Sequence, residues 1–130
     1  MESINWKVRK QLPVIRQTES AECGLACLAM IACWHGLKTD LSTLRERFNI
    51  GIQGMTLQRL IECAASIHLS SRAVRLEPED LRCLNLPSIL HWDMNHFVVL
   101  HKVRGNRLYI HDPDRGKITI SLLDAGKHFT

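Results

Sequence analysis

The chain has 130 residues, of which 45% are hydrophobic, and its formal net charge at pH 7 is +4. This length suits one domain, and the apolar content is enough for a real core, which excludes a disordered chain. The charge favours acidic or membrane-proximal partners, but the basic residues are scattered and form no stripe with aromatic side chains. We therefore expect no nucleic-acid partner.

The sequence shows no targeting segment. The N-terminal stretch MESINWKVRKQLP lacks the continuous apolar run of a signal peptide. The longest uncharged run, residues 23–34, is shorter than the roughly 20 residues that span a bilayer. The five cysteines are an odd number, which suggests free thiols in a reducing compartment instead of a disulfide framework. The sequence therefore predicts a soluble domain made in the cytosol.

The first half of the chain predicts helices. Residues 22–35 are apolar on nearly every side, which is typical of a central, buried helix. Ser20 is the expected N-cap of this helix, and Gly36 is its expected C-terminal stop. Two shorter helices are predicted next, at residues 40–48 and, capped by Thr56, at residues 57–67.

The second half of the chain changes to the period of strands. Ser121 and Asp124 have the spacing of a capping box, which predicts a last helix within which the chain stops. Helices followed by a run of strands indicate the α+β class, with the helices packed on an antiparallel sheet. Five strands are predicted, at residues 70–76, 86–92, 96–103, 107–112 and 117–122, with a helical turn at 77–84.

Cys23 is the strongest candidate for a reactive group. It lies near the start of the first helix, where free backbone N–H groups lower the pKa of a thiol. The other cysteines lie inside apolar periodic segments and are expected to be small core residues. They are Cys27, Cys33, Cys63 and Cys83.

A zinc site is the competing interpretation of this helix. Its ligands would be Cys23, Cys27, Cys33 and His35. On one helix, however, Cys33 turns away from the first two cysteines, and no CxxC pair is present. A nucleophilic Cys23 is therefore the better hypothesis.

A nucleophilic cysteine needs a base and a group that orients the base. His96 begins the apolar run HFVVL, and Asp112 ends the next predicted strand, RLYIHD. With a two-residue loop, Gly105-Asn106, Asp112 would lie opposite Val99 and His96 would point to the other face. A three-residue loop, or a bulge that has the same effect, would bring His96 and Asp112 together.

Two further residues bear on this site. Gln17 precedes Cys23 by six residues on the loop that leads into the helix. Its side-chain amide and the N–H of Cys23 could stabilise an oxyanion, as acyl transfer requires. Asp93 is an alternative orienting acid, but it is too close to His96 in sequence for an easy side-chain bond, which favours Asp112.

Together these stretches resemble the C39 peptidases, the papain-like N-terminal domains of bacterial peptidase-containing ABC transporters. The likeness is greatest to the colicin V and microcin type of bacteriocin exporter, and it runs from about Leu12 to Thr130. The motifs that carry it are Gln17, ECGLACLAM with Cys23, LHWDMNHFVVL with His96 and IHDPDRGK with Asp112.

The resemblance implies a role for each of these residues. Cys23 would be the nucleophile, and His96 would be the general base and then the acid that protonates the leaving amine. Asp112 would orient His96, and Gln17 would form the oxyanion hole with the N–H of Cys23. The implied fold is papain-like, and the implied peptidase needs no cofactor, since ATP would bind only in a separate nucleotide-binding domain.

The resemblance also implies a biological setting. Residues 1–130 would be the peptidase domain at the N-terminus of a longer transporter, on the cytosolic face of the bacterial inner membrane. Its partners would be the transporter's own transmembrane and ATP-binding domains and the leader peptide of a bacteriocin precursor, cut after a double-glycine-type motif. The alternative is a peptidase-like docking domain that binds the leader without cutting it, although this chain keeps all four positions.

Overall fold

The computed structural model describes residues 10–51, 54–93 and 96–129, so the first nine residues and Thr130 of the predicted domain lie outside it. Helices come first and strands second, which confirms the predicted α+β class. Short 3-10 turns cover Ser20–Glu22 and Pro78–Cys83. The other elements are α1 (Cys23–Trp34), α2 (Leu41–Arg47), α3 (Leu57–Ser66), β1 (Ser88–Trp92), β2 (His96–Arg104), β3 (Arg107–Asp112), β4 (Gly116–Ser121) and α4 (Leu122–Gly126).

The four strands form an antiparallel meander in the order β1-β2-β3-β4. A two-residue turn joins β2 to β3, with Arg104 paired to Arg107 and Gly105 at a φ of +57°. Positive φ values at such turns match the twist of the strands, and glycine adopts them without steric cost. The four strands that residues 86–122 predict are thus all present.

Helix α1 forms the centre of one core layer. Nine of its twelve residues are buried, and it packs on strand β2 through the side chains of Phe97 and Val99. The opposite face of β2 presents Val98 and Leu100 to a second core, which the 3-10 turn Pro78–Cys83 and α4 cover. Because residues 97–100 of β2 are buried on both faces, this part of the strand is continuously apolar instead of alternating.

The helix boundaries follow local signals that the sequence shows. The Thr56 side chain accepts a hydrogen bond from the N–H of Arg59, and that of Ser121 accepts one from Asp124. Gly36 ends α1 with a φ of +90°, as predicted. Within the described ranges, no helix is both long enough and apolar enough to cross a bilayer.

The predicted strand at residues 70–76 is wrong. The segment has no regular structure, residues 70–75 are exposed, and it is not one of the four strands of the described sheet. Val74, the apolar residue at its centre, is 52% exposed. The pattern of the segment suits a strand, but a strand also needs a neighbour or a buried face, and this segment has neither.

Three smaller predictions also need correction. Ser20 does not cap α1, because it starts the 3-10 turn and Glu22 occupies the cap position. The last helix ends at Gly126, before the described chain does. None of the five cysteines is in a disulfide, as expected, but Cys83 is exposed and Cys33 only half-buried. Cys83 lies in the 3-10 segment Pro78–Cys83, whose buried residue is Leu81, which packs against the sheet.

The close approach of α1 to β2 yields a first prediction. A Cβ placed on Gly24 would lie 3.2 Å from Cδ2 of Phe97 and 3.5 Å from the sulfur of Met55. Phe97 is 1% exposed and stacks on His91, so it cannot move aside. We expect Gly24→Ala to lower the free energy of unfolding by about 1–2 kcal/mol, because overpacking outweighs the gain in helix propensity.

Urea unfolding of the two proteins measures this difference. Gly51→Ala is the matched control, because a Cβ there meets nothing within 4 Å and its φ is not positive. The control should be neutral or slightly stabilising. A stabilised Gly24→Ala variant would contradict a tight contact between α1 and β2.

Candidate active site

Cys23 is the first residue of α1, at the end of the helix that lies against the start of β2. It is 6% exposed, so the thiol lies just beneath the surface. The packing of Gly24 on Phe97 holds this end of the helix against the strand. The first residue of that strand is His96, which brings the predicted base to the predicted nucleophile.

His96 and Asp112 meet because strand β2 contains a bulge. The register shifts between Leu100 and Lys102, so that Val99 pairs with His111. Continued by one residue, this register sets Asp112 opposite Val98, on the same face as His96. The Nε2 atom of His96 lies 2.7 Å from Oδ1 of Asp112. The two-residue loop, one of the two that the sequence analysis left open, is therefore confirmed. The bulge, which the sequence analysis gave as one of two ways to bring His96 and Asp112 together, is what places their side chains on the same face.

The Asp112 carboxylate is held in place from several sides. It is 2% exposed, and its Oδ1 atom also accepts a hydrogen bond of 2.8 Å from the backbone N–H of Asp114. Burial raises the pKa of Asp112, but the hydrogen bond from His96 and those from backbone N–H groups together lower the pKa by more than burial raises it. The net pKa is therefore below the ordinary value. Asp112 therefore carries a negative charge beside His96.

This charge makes His96 a strong base. The hydrogen bond to Asp112, followed by the hydrogen bond to Cys23, raises the pKa of His96 to about 10. Since Nε2 faces Asp112, the other ring nitrogen, Nδ1, is left for the thiol. At neutral pH the imidazole is protonated, and it can stabilise an anion on the sulfur.

The electrostatics separate Cys23 from the cysteine one turn along α1. Burial raises the pKa of Cys23, but the hydrogen bond with His96 and the backbone N–H groups of Phe97 and Gly24 outweigh it, and the net pKa is lowered. Cys27 is fully buried, and burial together with the charges of Cys23 and Asp112 raises its pKa well above the ordinary value. Cys23 can thus be a thiolate while Cys27 stays a thiol.

Gln17 lies on a loop that is tied to the turn after Asp112. Its backbone N–H donates to the carbonyl of Pro113 at 2.9 Å. The guanidinium of Arg16 donates to the same carbonyl at 3.2 Å and to that of Asp114 at 2.5 Å. The side-chain amide nitrogen of Gln17 makes only a long contact, 3.5 Å, with the carbonyl of Ser20. Its N–H groups therefore remain able to donate elsewhere.

A buried carboxylate that the sequence analysis passed over completes this loop. Glu22, next to Cys23, is 5% exposed and forms an ion pair with Arg45 of α2. It also accepts hydrogen bonds from Thr18 and from the backbone N–H of Glu19. The only signal in the sequence was an acidic residue inside an otherwise apolar helix start, and it could not show which cation would pair with it.

The competing constellations are not assembled. Asp93 pairs with His128, at 2.9 Å from its Nδ1 atom, and not with His96. His35 is exposed at the far end of α1 from Cys23. Among the residues that the structure describes, no group of three or more metal-ligating side chains converges on one point.

The structure thus brings together an acid, a base and a thiol in the order that a nucleophilic cysteine requires. An ionised thiol attacks carbonyl carbons, and a protonated imidazole beside it can give its proton to a leaving amine. Both properties suit the cleavage of an amide bond.

Comparison with known proteins agrees with this chemistry. Residues 11–130 match the model of the peptidase C39 family. The chain belongs to the peptidase C39 family. It is thus a cysteine peptidase domain, and the model match covers nearly all of it.

Two curated relatives and two solved structures show how far this likeness extends. The chain is 46% identical to a colicin V secretion/processing ATP-binding protein of Escherichia coli and 43% identical to a probable microcin-H47 secretion/processing ATP-binding protein of the same organism. Both matches cover 98% of this chain but only 18% of the relative.

The solved structures match over most of both chains. A double glycine motif protease from an AMS/PCAT transporter, in complex with the leader peptide, has a TM-score of 0.85 and 34% identity over 95% of this chain and 89% of its own. The peptidase domain of Streptococcus ComA, a bi-functional ABC transporter, has a TM-score of 0.82 and 25% identity over 92% of this chain and 93% of its own.

The electrostatics of the site predict the effect of Asp112→Asn. Loss of the carboxylate should lower the pKa of His96 from about 10 by roughly 1–3 pH units, toward its ordinary value of 6.5. The pKa of Cys23 should rise in turn, because its cationic partner is lost. Alkylation of Cys23 by iodoacetamide, followed by mass spectrometry as a function of pH, should therefore be slower at neutral pH in the variant.

Asp93→Asn is the matched control, since Asp93 is also a carboxylate bonded to a histidine. Its alkylation profile should superimpose on that of the unchanged protein. A larger effect in Asp93→Asn than in Asp112→Asn would reinstate Asp93 as the orienting acid.

Proposed function

We propose that this domain is an endopeptidase that removes the leader peptide from a bacteriocin or microcin precursor, with Cys23 as its nucleophile. The observation that carries the proposal is the linked arrangement of Cys23, His96 and Asp112, with a bond of 2.7 Å between the base and the acid. The roles follow from the charges. Cys23 attacks as a thiolate, and His96 begins the reaction protonated.

In the proposed reaction the sulfur of Cys23 bonds to the carbonyl carbon of the scissile peptide, and the carbonyl electrons move to oxygen. When the tetrahedral intermediate collapses, the C–N bond breaks and His96 gives its proton to the leaving amine. The neutral His96 then takes a proton from water, whose oxygen attacks the thioester and releases the thiolate. Asp112 keeps His96 in the tautomer and orientation that both steps require.

Gln17 is proposed to stabilise the oxyanion of both intermediates, together with the backbone N–H of Cys23. The support is its anchored backbone and its weakly engaged side-chain amide nitrogen. A donor that is already oriented toward developing charge costs no reorganisation during the reaction. No cofactor takes part in these steps.

The substrate class rests on the relatives. The structure with 34% identity is a double glycine motif protease in complex with the leader peptide. The two relatives above 40% identity are secretion/processing proteins for colicin V and, probably, microcin H47. We therefore propose cleavage after a double-glycine-type motif, Gly-Gly or Gly-Ala, in a leader of this kind.

The setting that we propose is a transporter. Because the chain spans 18% of the length of its first two relatives, transmembrane and ATP-binding domains would follow it in a longer protein. The peptidase domain would then lie on the cytosolic face of the inner membrane and couple cleavage to export. ATP would be bound by the nucleotide-binding domain and not by this one.

Cleavage of a synthetic leader peptide tests the function. A peptide with a Gly-Gly motif should be cut after the second glycine, as read by mass spectrometry, and Cys23→Ala should abolish the cut. Cys27→Ala is the matched control, because Cys27 is a buried thiol on the same helix with a raised pKa, so the control should still cut. A peptide with valine in place of the second glycine should resist cleavage.

The same assay separates the docking alternative. Tight binding of the leader peptide by the unchanged protein, with no cut, would make the domain a non-catalytic docking module. A cut that persists in Cys23→Ala would reject Cys23 as the nucleophile.

Gln17→Ala tests the oxyanion role. Loss of one oxyanion donor typically lowers kcat by roughly 10²–10³-fold, and we expect a loss of this size with little change in KM. The alkylation rate of Cys23 should not change, since alkylation by iodoacetamide generates no oxyanion. If Gln17→Ala lowered kcat and the alkylation rate of Cys23 by the same factor, Gln17 would instead be supporting the thiolate.

A further inference from the structure

The loop from Gln17 to Cys23 carries two of the proposed reacting groups, one at each end. In between are Thr18 and Glu19, which are exposed and belong to no helix. Gln17 itself is half-buried, but the Oε1 atom of its amide is enclosed without a hydrogen-bond partner among the described residues and the Nε2 atom makes only the 3.5 Å contact with Ser20, so no strong hydrogen bond of its own holds the amide in one place. Something else must fix the distance between the Gln17 amide and the sulfur of Cys23.

The carboxylate of Glu22 makes the contacts that could do so. Its Oε1 atom accepts from the Thr18 hydroxyl at 2.7 Å, from the Glu19 N–H at 2.9 Å and from the Thr18 N–H at 3.3 Å. The residue next to the nucleophile thus reaches back and binds the backbone of the residue next to Gln17. The loop is closed into a ring whose two ends carry Gln17 and Cys23.

Arg45 completes the arrangement from α2. Its Nε atom pairs with Oε2 of Glu22, and its Nη2 atom donates to Oε1 of Glu22 at 3.1 Å and to the Thr18 hydroxyl at 2.8 Å. The hydrogen bond from Arg45 is the main cause that lowers the pKa of Glu22 to about 2, so the carboxylate is charged at neutral pH. The cation also balances a negative charge that would otherwise oppose ionisation of Cys23.

We propose that Glu22 is a positioning residue of the peptidase, whose buried carboxylate, paired with Arg45, fixes the Gln17 amide relative to Cys23. The proposal rests on the proposed function, because it assigns Glu22 to the oxyanion step. Glu22 touches no reacting atom and acts only through the loop. Its effect should therefore fall on reactions that develop an oxyanion and not on the reactivity of the thiolate itself.

The test compares two reactions of Cys23 in Glu22→Gln. In this variant an amide N–H group faces the guanidinium of Arg45, so the ion pair is lost while an acceptor for Thr18 and Glu19 remains. We expect kcat for leader-peptide cleavage to fall by roughly 10–100-fold with KM within about twofold, because a small misplacement of a catalytic group costs this much. Alkylation of Cys23 by iodoacetamide should change by no more than about twofold.

A peptide aldehyde that ends in glycinal gives a readout that does not need turnover. The Cys23 sulfur adds to the aldehyde carbon, and the oxygen of the hemithioacetal occupies the position of the oxyanion. The affinity of the peptide aldehyde for the protein is measured by its protection of Cys23 from alkylation. This affinity should weaken in Glu22→Gln by about the same factor as kcat. If the unchanged protein cut no leader peptide, the proposed function would fail, but the aldehyde and alkylation assays would still decide the role of Glu22.

Three further variants guard against a general loss of structure. Glu62→Gln is the matched control, because Glu62 forms an exposed ion pair with Arg59 and should behave like the unchanged protein. Thr18→Val removes a hydroxyl from the exposed side of the loop and should give a smaller loss of the same kind. Glu22→Asp, which keeps the charge, should recover part of the lost kcat.

The results that would overturn the proposal are specific. Equal losses of aldehyde binding and alkylation in Glu22→Gln would show that the residue maintains the thiolate or the fold. Unchanged aldehyde binding, or behaviour indistinguishable from Glu62→Gln, would show that the ion pair has no part in the oxyanion step.

Discussion

Helix α1 has apolar side chains on all its faces, so it is stable in water only where other elements cover it on several sides. The sheet covers one side through Phe97 and Val99, and α2 and α3 cover others. Gly24 lets the start of the helix approach β2 to van der Waals contact. Burial of this one helix therefore determines where the thiol of Cys23 lies relative to the sheet, and the base must come from the strand that it touches.

The sheet meets that requirement through a local irregularity. With a two-residue turn alone, the side chains of His96 and Asp112 would lie on opposite faces of the sheet. The bulge in β2, which lies between His96 and the turn, shifts the register by one residue and brings both side chains to the same face. The residue at the bulge, His101, packs its ring against His111 and Trp34. The His111 ring in turn is bonded to the Pro13 carbonyl, so the bulge is held by contacts from outside the hairpin.

These two features explain how much the sequence could predict. Periodicity and caps report interactions within about four residues, and they predicted α1, the strands from β1 onward and the position of Cys23 correctly. Whether residues 70–76 would find a strand neighbour, and whether the hairpin would bulge, depends on contacts between distant parts of the chain. The same holds for Glu22, whose partner Arg45 is 23 residues away on another helix.

The loop that carries Gln17 shows why charged contacts appear where burial is insufficient. Its first part is bonded to the turn after Asp112 through Arg16, and its last part to α2 through Glu22. Helix α2 is seven residues long and buries only Leu41 and Leu44, so packing alone orients it weakly. A charge-assisted, two-point contact fixes direction as well as distance, which a small apolar contact does not. Gln17 and Cys23 thus lie at the two ends of one loop, and that loop is hydrogen-bonded both to the turn after Asp112 and to α2.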